Sequence, residues 1–225
     1  MTPSTTPRQD DDNRFIVVEG PIGVGKTTLA TRLAERLGGD LLLEQVSENP
    51  FLERFYRGER HAALSAQLFF LFQRTKQLDD LRQSDLFARV RVADFLIDKD
   101  RLFAEVNLDA EELALYEQIH ERIAAEPPQP DLVIYLQASV DALLERIARR
   151  GIHYERLIDR GYLERLTEAY ARHFHHFQDA PLLIVNASSI DPVNNDRDFE
   201  QLLEQVRRTT SGRHFFNPVN AAAFA

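Results

Sequence analysis

Short apolar runs alternate with amphipathic stretches along most of the chain. Five of the runs are rich in valine, isoleucine or leucine, as expected of strands buried on both faces; they cover 15–18, 41–43, 89–93, 132–136 and 182–185. The stretches between them place apolar residues three or four positions apart, which is the helical period. Strands that alternate with helices predict an α/β fold, in which a five-stranded parallel sheet is flanked by helices.

Residues that commonly begin helices mark several of the amphipathic stretches. Ser139 is an expected N-cap, and Asn49 is another, with Pro50 in the first turn after it. A long helix predicted over 62–82 is apolar nearly all round at 68–72, so we expect it to be buried on more than one side. Further helices are expected over 28–37, 51–56, 99–106, 110–125, 140–150, 160–177 and 199–207.

A glycine-rich loop follows the first predicted strand. It has the pattern G-x-x-x-x-G-K-S/T, written here as Gly20-Pro21-Ile22-Gly23-Val24-Gly25-Lys26-Thr27, with Thr28 next. A strand, a glycine loop and a helix form the context in which this motif binds phosphate. The glycines let backbone amides turn around an anion, and the helix start adds unpaired N–H groups. We therefore predict ATP over 20–28, with Lys26 at the outer phosphates and the Thr27 hydroxyl on Mg²⁺.

Carboxylates end the next two predicted strands. Glu44 follows the second strand and Asp94 follows the third. Ligands of parallel sheets bind beyond the carboxyl ends of the strands, so both side chains are expected to face the glycine loop. Phosphoryl transfer needs positioning, charge neutralisation and a group that takes the acceptor's proton. Glu44 is a candidate for this base, and Asp94 is a candidate for holding Mg²⁺, directly or through water, or for orienting the base.

Two arginines form a second candidate site. Arg146 and Arg150 lie four residues apart, so they share one face of a predicted helix. Gly151 allows the chain to bend after them, and a mobile lid would bring both guanidinium groups to the donor phosphates. Arginines at a helix C-terminus also simply complement the helix dipole, and the sequence leaves both interpretations open.

Composition and charge narrow the functional classes. The 225 residues carry 36 acidic and 27 basic side chains, and this net charge of −9 argues against nucleic acid as a partner. No cysteine is present, so disulfides and thiol chemistry are excluded. No apolar run approaches the ~20 residues of a membrane span. Because no cysteine or carboxylate lies at ligand spacing, a solvated helix face is favoured over a metal site for His173, His175 and His176.

The two ends of the chain differ from its middle. Residues 1–13 are rich in threonine, proline and aspartate, and they lack the apolar segment of a signal peptide and the basic character of a transit peptide. We therefore expect a disordered tail at 1–13 in a cytoplasmic protein. One domain is expected over 14–210, followed by a C-terminal tail at 211–225.

Several motifs occur in a fixed order along the chain, and together they resemble the pattern of one family, the deoxynucleoside kinases. Besides the loop at 20–27, they are Glu44 followed by Glu48-Asn49-Pro50-Phe51-Leu52-Glu53-Arg54-Phe55-Tyr56, Gln67 with Arg74, Ala93-Asp94, the stretch 130–136 and the stretch 146–155. The chain resembles this family, and its bacterial branch in particular, from about residue 14 to residue 207. The resemblance implies a P-loop NTPase fold with a helical lid, ATP and Mg²⁺ as cofactors, a deoxynucleoside as acceptor and a homodimer paired through helices.

The resemblance also implies roles for residues near the sugar and the phosphates. The family's base activates the 5′-hydroxyl from the end of the second strand, and Glu44 matches it. Tyr56 and Glu155 match the residues that bind the 3′-hydroxyl, and Arg146 and Arg150 match the lid arginines on the donor phosphates.

A further group of residues matches the positions that contact the nucleobase. Gln67 and Arg74 lie seven residues apart, about two helical turns, so both can face one pocket. Asp100 matches an aspartate that also reads the base, and Phe103 would pack on the ring. Arginine donates well to the O6/N7 edge of guanine, and a carboxylate such as Asp100 can accept from guanine N1–H and N2–H₂.

The chain departs from the family pattern at two positions. Many members carry Asp/Glu-Arg-Ser/Thr after the third strand, whereas this chain has Asp94-Phe95-Leu96 and lacks the arginine. Arg91 and Arg101 are nearby candidates to replace it. The lid position after the glycine, usually arginine, is Ile152. The Asp-aromatic form resembles that of bacterial deoxyguanosine kinases.

These observations predict a Mg²⁺-dependent kinase that transfers the γ-phosphate of ATP to the 5′-hydroxyl of a purine deoxynucleoside, with deoxyguanosine as the leading substrate. Deoxyadenosine kinase is the nearest alternative. A nucleoside monophosphate kinase such as thymidylate kinase is the next, although its acceptor needs an extra cationic clamp. A nucleotide-dependent switch is an alternative from another class, although no N-K-x-D guanine-binding motif occurs in the chain. Neither nucleic acid nor a membrane is expected as a partner.

Overall fold

A parallel sheet of six strands forms the centre of the protein. In a computed structural model of the chain, the described residues are 14–83, 90–96, 99–123, 128–188 and 190–217. The strands are β1 (Arg14–Glu19), β2 (Asp40–Leu42), β3 (Val90–Ala93), β4 (Leu132–Gln137), β5 (Leu182–Asn186) and β6 (Arg213–Phe216). Their order across the sheet is β2-β3-β1-β4-β5-β6, and all neighbouring pairs are parallel.

Helices connect the strands and cover the sheet. They are α1 (Lys26–Leu37), α2 (Leu52–Tyr56), α3 (Ala62–Gln83), α4 (Lys99–Asn107), α5 (Ala110–Ile123), α6 (Val140–Arg150), α7 (Arg160–His176) and α8 (Asp196–Arg208). Short 3₁₀ turns lie at Val46–Glu48 and His153–Leu157. The first five residues of β4 are all buried, as required of a central strand that is covered on both faces.

The sixth strand corrects the predicted count of five. β6 pairs with β5 and lies within the stretch 211–225 that the sequence analysis assigned to a tail. Its residues are mostly exposed, and Phe215 is 73% exposed. Among the described strands β6 pairs with β5 alone, so it does not need the continuous apolar run by which buried strands are recognised.

The predicted helix boundaries hold within a few residues, with one difference at α2. Asn49 does not cap this helix directly: its side-chain Oδ1 accepts a hydrogen bond from the Phe51 amide at 3.0 Å, and the helix begins at Leu52. Asn49 thus forms a turn before the helix, a common alternative for a short amide side chain. Ser139 caps α6 as predicted, accepting from the Ala142 amide at 3.3 Å.

Some expectations concern residues outside the described ranges. These are the tail at 1–13, Arg89 at the start of the third strand, 124–125 at the end of the helix after 110, and 218–225 of the C-terminal tail. Within the described ranges, no helix is both long enough and apolar enough to span a membrane.

Candidate functional site

The glycine loop lies between β1 and α1 in a conformation that only glycine adopts easily. Gly23 and Gly25 have φ angles of 84° and 104°. A Cβ atom on Gly23 would lie 2.8 Å from Ile147 Cγ1, so the loop also packs closely against α6. Lys26 is the first residue of α1, and its Nζ donates to the Gly20 carbonyl oxygen at 2.8 Å. The loop therefore presents backbone amides and an ammonium group to one cavity, which suits phosphate.

That cavity has a volume of about 270 Å³ and carries several cationic groups. Its lining residues are Gly23 to Thr28, Leu136, Arg146, Arg149, Arg150, Ala187 and Asp191 to Asn194. Arg146 donates to the carbonyl oxygens of Val24 at 3.2 Å and Ala187 at 2.7 Å, so it ties α6 to the glycine loop and to the end of β5. The two predicted lid arginines, Arg146 and Arg150, thus lie on the phosphate side.

The ends of β1, β2 and β3 meet because these strands are neighbours in the sheet. Asp94, directly after β3, accepts the Thr27 hydroxyl at 2.6 Å and the Glu44 backbone amide at 2.7 Å. Glu44 lies two residues beyond the end of β2. Burial raises the pKa of Asp94, although the hydrogen bonds from Thr27 and Glu44 oppose this shift. The predicted convergence of the glycine loop with two carboxylates is present.

The Glu44 carboxylate lies between two cations from different helices. Arg74 of α3 donates to Oε1, and Lys99 of α4 donates to Oε2 at 2.9 Å. Burial acts to raise the pKa of Glu44, but the charges of Arg74 and Lys99 outweigh burial and lower this pKa to about 2. Glu44 is therefore ionised at neutral pH. Burial, together with repulsion from Lys99, lowers the pKa of Lys26 to about 8.

A second cavity of about 320 Å³ adjoins the first, and Gly23, Lys26, Thr27 and Arg150 line both. Its other lining residues include Glu44, Leu52, Phe55, Tyr56, Gln67, Phe70, Arg74, Asp94, Lys99, Phe103, Asn107, Ile152, Tyr154, Glu155 and Tyr162. The cavity is therefore a chamber lined by both aromatic and charged side chains, which suits a small molecule that has apolar and polar surfaces.

Tyr56 and Glu155 lie on the same side of this chamber. Tyr56 stacks on Tyr154 with the ring centroids 6.1 Å apart, and burial raises its pKa well above the ordinary value. Glu155 is buried, and its Oε2 accepts from Arg150 Nε at 2.9 Å. A neutral hydroxyl and a carboxylate are thus available for a sugar hydroxyl group.

The residues that were predicted to contact the nucleobase lie together, with one exception. Gln67, Arg74 and Phe103 line the chamber. Asp100 does not line the chamber. Its carboxylate is buried and forms an ion pair with the Arg74 guanidinium group. Arg74 therefore bridges Asp100 and Glu44.

Neither arginine suggested as a replacement for the missing family arginine reaches the chamber. Arg101 is 64% exposed and pairs with Glu105 and Glu117, and Arg91 does not line either cavity. Lys99, which the sequence analysis did not single out, lines the chamber and contacts Glu44. Its place four residues before Phe103, on the same face of α4, is the signal that would have indicated it.

Glu19 was also missed by sequence reasoning. This buried carboxylate ends β1 and accepts hydrogen bonds from the amides of Gly20 and Leu96, both at 2.9 Å, and from the Tyr170 hydroxyl at 3.0 Å. It therefore joins the glycine loop to α7 and to the segment after β3. Its position directly before the motif was the only available signal.

Two of the three α7 histidines lie on a solvated face of the helix as expected, whereas His173 is half-buried. His175 and His176 are exposed, and His173 packs edge-on against Phe174 with the ring centroids 4.9 Å apart. In the part of the chain that is described, no group of three or more histidine, aspartate or glutamate side chains is arranged to hold a metal ion. The Thr27 hydroxyl and the Asp94 carboxylate lie beside the glycine loop, and oxygen ligands of this kind suit a hard cation such as Mg²⁺.

The glycine loop, the parallel sheet and the two adjoining cavities define a P-loop kinase. Residues 16–211 match the family model described as deoxynucleoside kinase. The chain belongs to the deoxynucleoside kinase family, and it is an ATP-dependent deoxynucleoside kinase.

Relatives from several bacteria are similar over most of the chain. A deoxyguanosine kinase of Bacillus subtilis is 38% identical over 200 residues, which are 86% of this chain and 96% of the relative. A deoxyadenosine/deoxycytidine kinase of the same organism is 31% identical over 204 residues, 86% and 92% of the two chains. The solved structure of a deoxyadenosine kinase from M. mycoides, with dCMP and dCDP bound, has a TM-score of 0.76 and 26% identity, and the match covers 86% of this chain and 99% of that one.

Proposed function

We propose that this kinase transfers the γ-phosphate of ATP to the 5′-hydroxyl of deoxyguanosine in preference to other deoxynucleosides, with Glu44 as the base. The observation that carries the proposal is the place of Glu44, which lines the chamber beside the glycine loop and is held there by Asp94, Arg74 and Lys99. The similarity to the deoxyguanosine kinase of Bacillus subtilis supports the choice of substrate.

The reaction would proceed in line between the two cavities. The 5′-hydroxyl oxygen attacks the γ-phosphorus, its proton passes to the Glu44 carboxylate, and the bond from the γ-phosphorus to the bridging oxygen breaks to release ADP. Because its pKa of about 2 keeps Glu44 ionised at neutral pH, the carboxylate is in the deprotonated form that a base requires. Lys26 and the two lid arginines, Arg146 and Arg150, would bind the donor phosphates and offset the charge that develops on them.

Thr27 and Asp94 would hold Mg²⁺ together with the phosphate oxygens of ATP. Mg²⁺ favours one or two protein oxygen ligands and usually keeps several waters. When bound, the ion would neutralise phosphate charge and orient the γ-phosphate. The hydrogen bond between Thr27 and Asp94 shows that both groups reach one point beside the loop.

The chamber would receive the deoxynucleoside with the sugar toward the loop. Tyr56 and Glu155 would bind the 3′-hydroxyl, and Gln67 would contact the base beside Phe103. Arg74 would donate to guanine O6 and N7. Asp100 lies behind Arg74, so its contact with guanine N1–H and N2–H₂ requires the base to reach past that side chain.

Deoxyadenosine is the second candidate substrate. The similarity to the M. mycoides deoxyadenosine kinase favours it, as does the Bacillus subtilis enzyme named for deoxyadenosine and deoxycytidine. A kinase for either substrate would have the same fold, the same catalytic carboxylate and the same phosphate loop. The choice between the two substrates would therefore depend on the end of the chamber that contacts the nucleobase.

A substrate panel separates these candidates. We would measure kcat/KM with Mg-ATP for deoxyguanosine, deoxyadenosine, deoxycytidine and thymidine, and for their 5′-monophosphates. We expect deoxyguanosine to exceed the others by at least about tenfold, since discrimination by hydrogen bonding is worth this much or more. A higher value for deoxyadenosine would contradict the proposed specificity, and phosphorylation of monophosphates alone would contradict the proposed acceptor.

We also propose that two copies of the chain associate through α3 and α5. Phe72 of α3 is 55% exposed and Leu115 of α5 is 47% exposed, and these two helices contact each other. Large apolar side chains exposed on adjoining helices are typical of an interaction surface.

A further inference from the structure

Lys99 occupies a position in the chamber that a simple surface lysine would not take. It is the first residue of α4 and only 6% exposed. Its ammonium group lies 2.9 Å from Glu44 Oε2 and 5.5 Å from the centre of the Phe103 ring. Buried lysines are rare unless they are paired, so the contact with Glu44 explains how the charge is accommodated.

The two oxygens of Glu44 are held by different donors. Arg74 holds Oε1 but is shared with Asp100, whereas among the described residues Glu44 is the acceptor for Lys99. A nucleobase that engages Arg74 would draw this arginine away from Glu44. Among the described residues, Lys99 would then be the cation that still donates a hydrogen bond to the carboxylate.

Lys99 also supplies a positive charge in a chain that lacks the arginine carried by many family members after the third strand. Phe95 stands where many family members carry arginine, and Arg101 lies outside the chamber on the exposed side of α4. Lys99 and Lys26 both line the chamber, so two ammonium groups are available where the acceptor and the donor phosphates would meet.

We propose that Lys99 is a positioning residue for phosphoryl transfer, whose ammonium group holds the Glu44 carboxylate at the acceptor hydroxyl and adds a second positive charge next to Lys26. The inference rests on the proposed role of Glu44 as base. The proton of the 5′-hydroxyl goes to Glu44, and Lys99 takes no part in that transfer.

The first test compares Lys99→Met and Lys99→Arg with Arg101→Met, which removes a neighbouring cation outside the chamber. We expect Lys99→Met to lower kcat about a hundredfold or more, as is usual for the loss of one preorganised donor, while KM for the deoxynucleoside changes less than about threefold. Lys99→Arg should recover at least about tenfold of that loss, because it restores the charge. Arg101→Met should keep kcat within about twofold.

A thermal melt and circular dichroism of each variant establish that the fold is intact. A folded Lys99→Met variant with kcat within threefold of the wild type would overturn the proposal, as would a Lys99→Arg variant that is folded but no more active than Lys99→Met. Because Lys99 lines a cavity, Lys99→Ala with added methylammonium gives a second reading: a rise in kcat that saturates with the amine supports a positioning charge, and no rise at any concentration contradicts it.

A double-mutant cycle with Glu44→Gln separates this inference from the proposed function. If Lys99 acts through Glu44, Lys99→Met should cost at least tenfold less in the Glu44→Gln background than in the wild type. Equal losses in both backgrounds would overturn the positioning role while leaving Glu44 as the base. A near-normal kcat for Glu44→Gln alone would instead contradict the proposed function, whatever Lys99→Met does.

Discussion

Asp94 and Glu44 are joined by a hydrogen bond of 2.7 Å from the Glu44 backbone amide to Asp94 Oδ1, while Asp94 Oδ2 accepts the Thr27 hydroxyl at 2.6 Å. One carboxylate therefore sets the distance between the phosphate loop and the segment that carries the proposed base. Because both oxygens have partners, Asp94 has little freedom to move.

We expect Asp94→Asn to lower kcat at least about tenfold and to raise the free Mg²⁺ concentration required for half-maximal rate, because the amide lacks the charge that favours a divalent cation. Initial rates over a Mg²⁺ titration at fixed ATP check this. Thr27→Ser is the matched control, since it keeps the hydroxyl and should remain near the wild type. An unchanged Mg²⁺ requirement in Asp94→Asn would argue against the metal role.

Arg74→Ala should reduce the discrimination among nucleobases more than it weakens ATP binding. One bidentate contact to a base is worth about 1–3 kcal/mol, so kcat/KM for deoxyguanosine should fall by about ten- to a hundredfold more than that for thymidine. The variant also leaves Asp100 buried without its partner, and we expect a lower melting temperature. The measurement is kcat/KM of the variant for all four deoxynucleosides. Equal losses for all four would count against a contact between Arg74 and the nucleobase.

Phosphate binding should depend on pH through Lys26. Burial and Lys99 hold its pKa at about 8 in the free protein, and a bound phosphate would raise this pKa. The affinity for ATP without metal should therefore weaken as the pH rises above about 8, with a proton taken up by Lys26 on binding. Calorimetry in buffers of different ionisation enthalpy measures that uptake. Its absence at pH 8.5 would show that Lys26 is already fully protonated there.

Phe72→Asp should convert the proposed dimer to a monomer, because a charge at the centre of an apolar contact cannot be buried without a partner. Sedimentation velocity over a range of protein concentrations measures the change. Phe215→Asp is the control, since Phe215 is also exposed but lies on β6, away from α3. A wild-type chain that sediments as a monomer at micromolar concentration would rule out the dimer.

Local patterns were sufficient to predict the framework of the fold. The five predicted strands were recognised from short apolar runs, although β2 lies at an edge of the sheet, and the glycine loop was recognised from a motif whose residues are adjacent in sequence. The meeting of Glu44 with Asp94 was also predictable, because the carboxyl ends of parallel strands share one edge of the sheet. β6 was not, since an exposed edge strand lacks the buried pattern.

The chamber was less predictable than the framework, because its contacts join distant parts of the chain. The pairing of Lys99 with Glu44 links residues 55 positions apart, and the bond from Tyr170 to Glu19 links residues 151 apart. Neither pair leaves a periodic signal in the sequence. Arg74 was correctly expected in the chamber, but its division between Asp100 and Glu44 depends on how α3 and α4 pack together.

The most direct test of Glu44 as the base is the kcat of Glu44→Gln with deoxyguanosine and Mg-ATP. The affinity of the same variant for ATP is measured in parallel. We predict that kcat falls by at least about a hundredfold, which is the usual scale of general-base assistance, while the ATP affinity stays within about threefold of the wild type. Glu48→Gln, which alters an exposed carboxylate nearby, should leave kcat unchanged. A near-normal kcat for Glu44→Gln would contradict the central claim that Glu44 takes the proton of the 5′-hydroxyl.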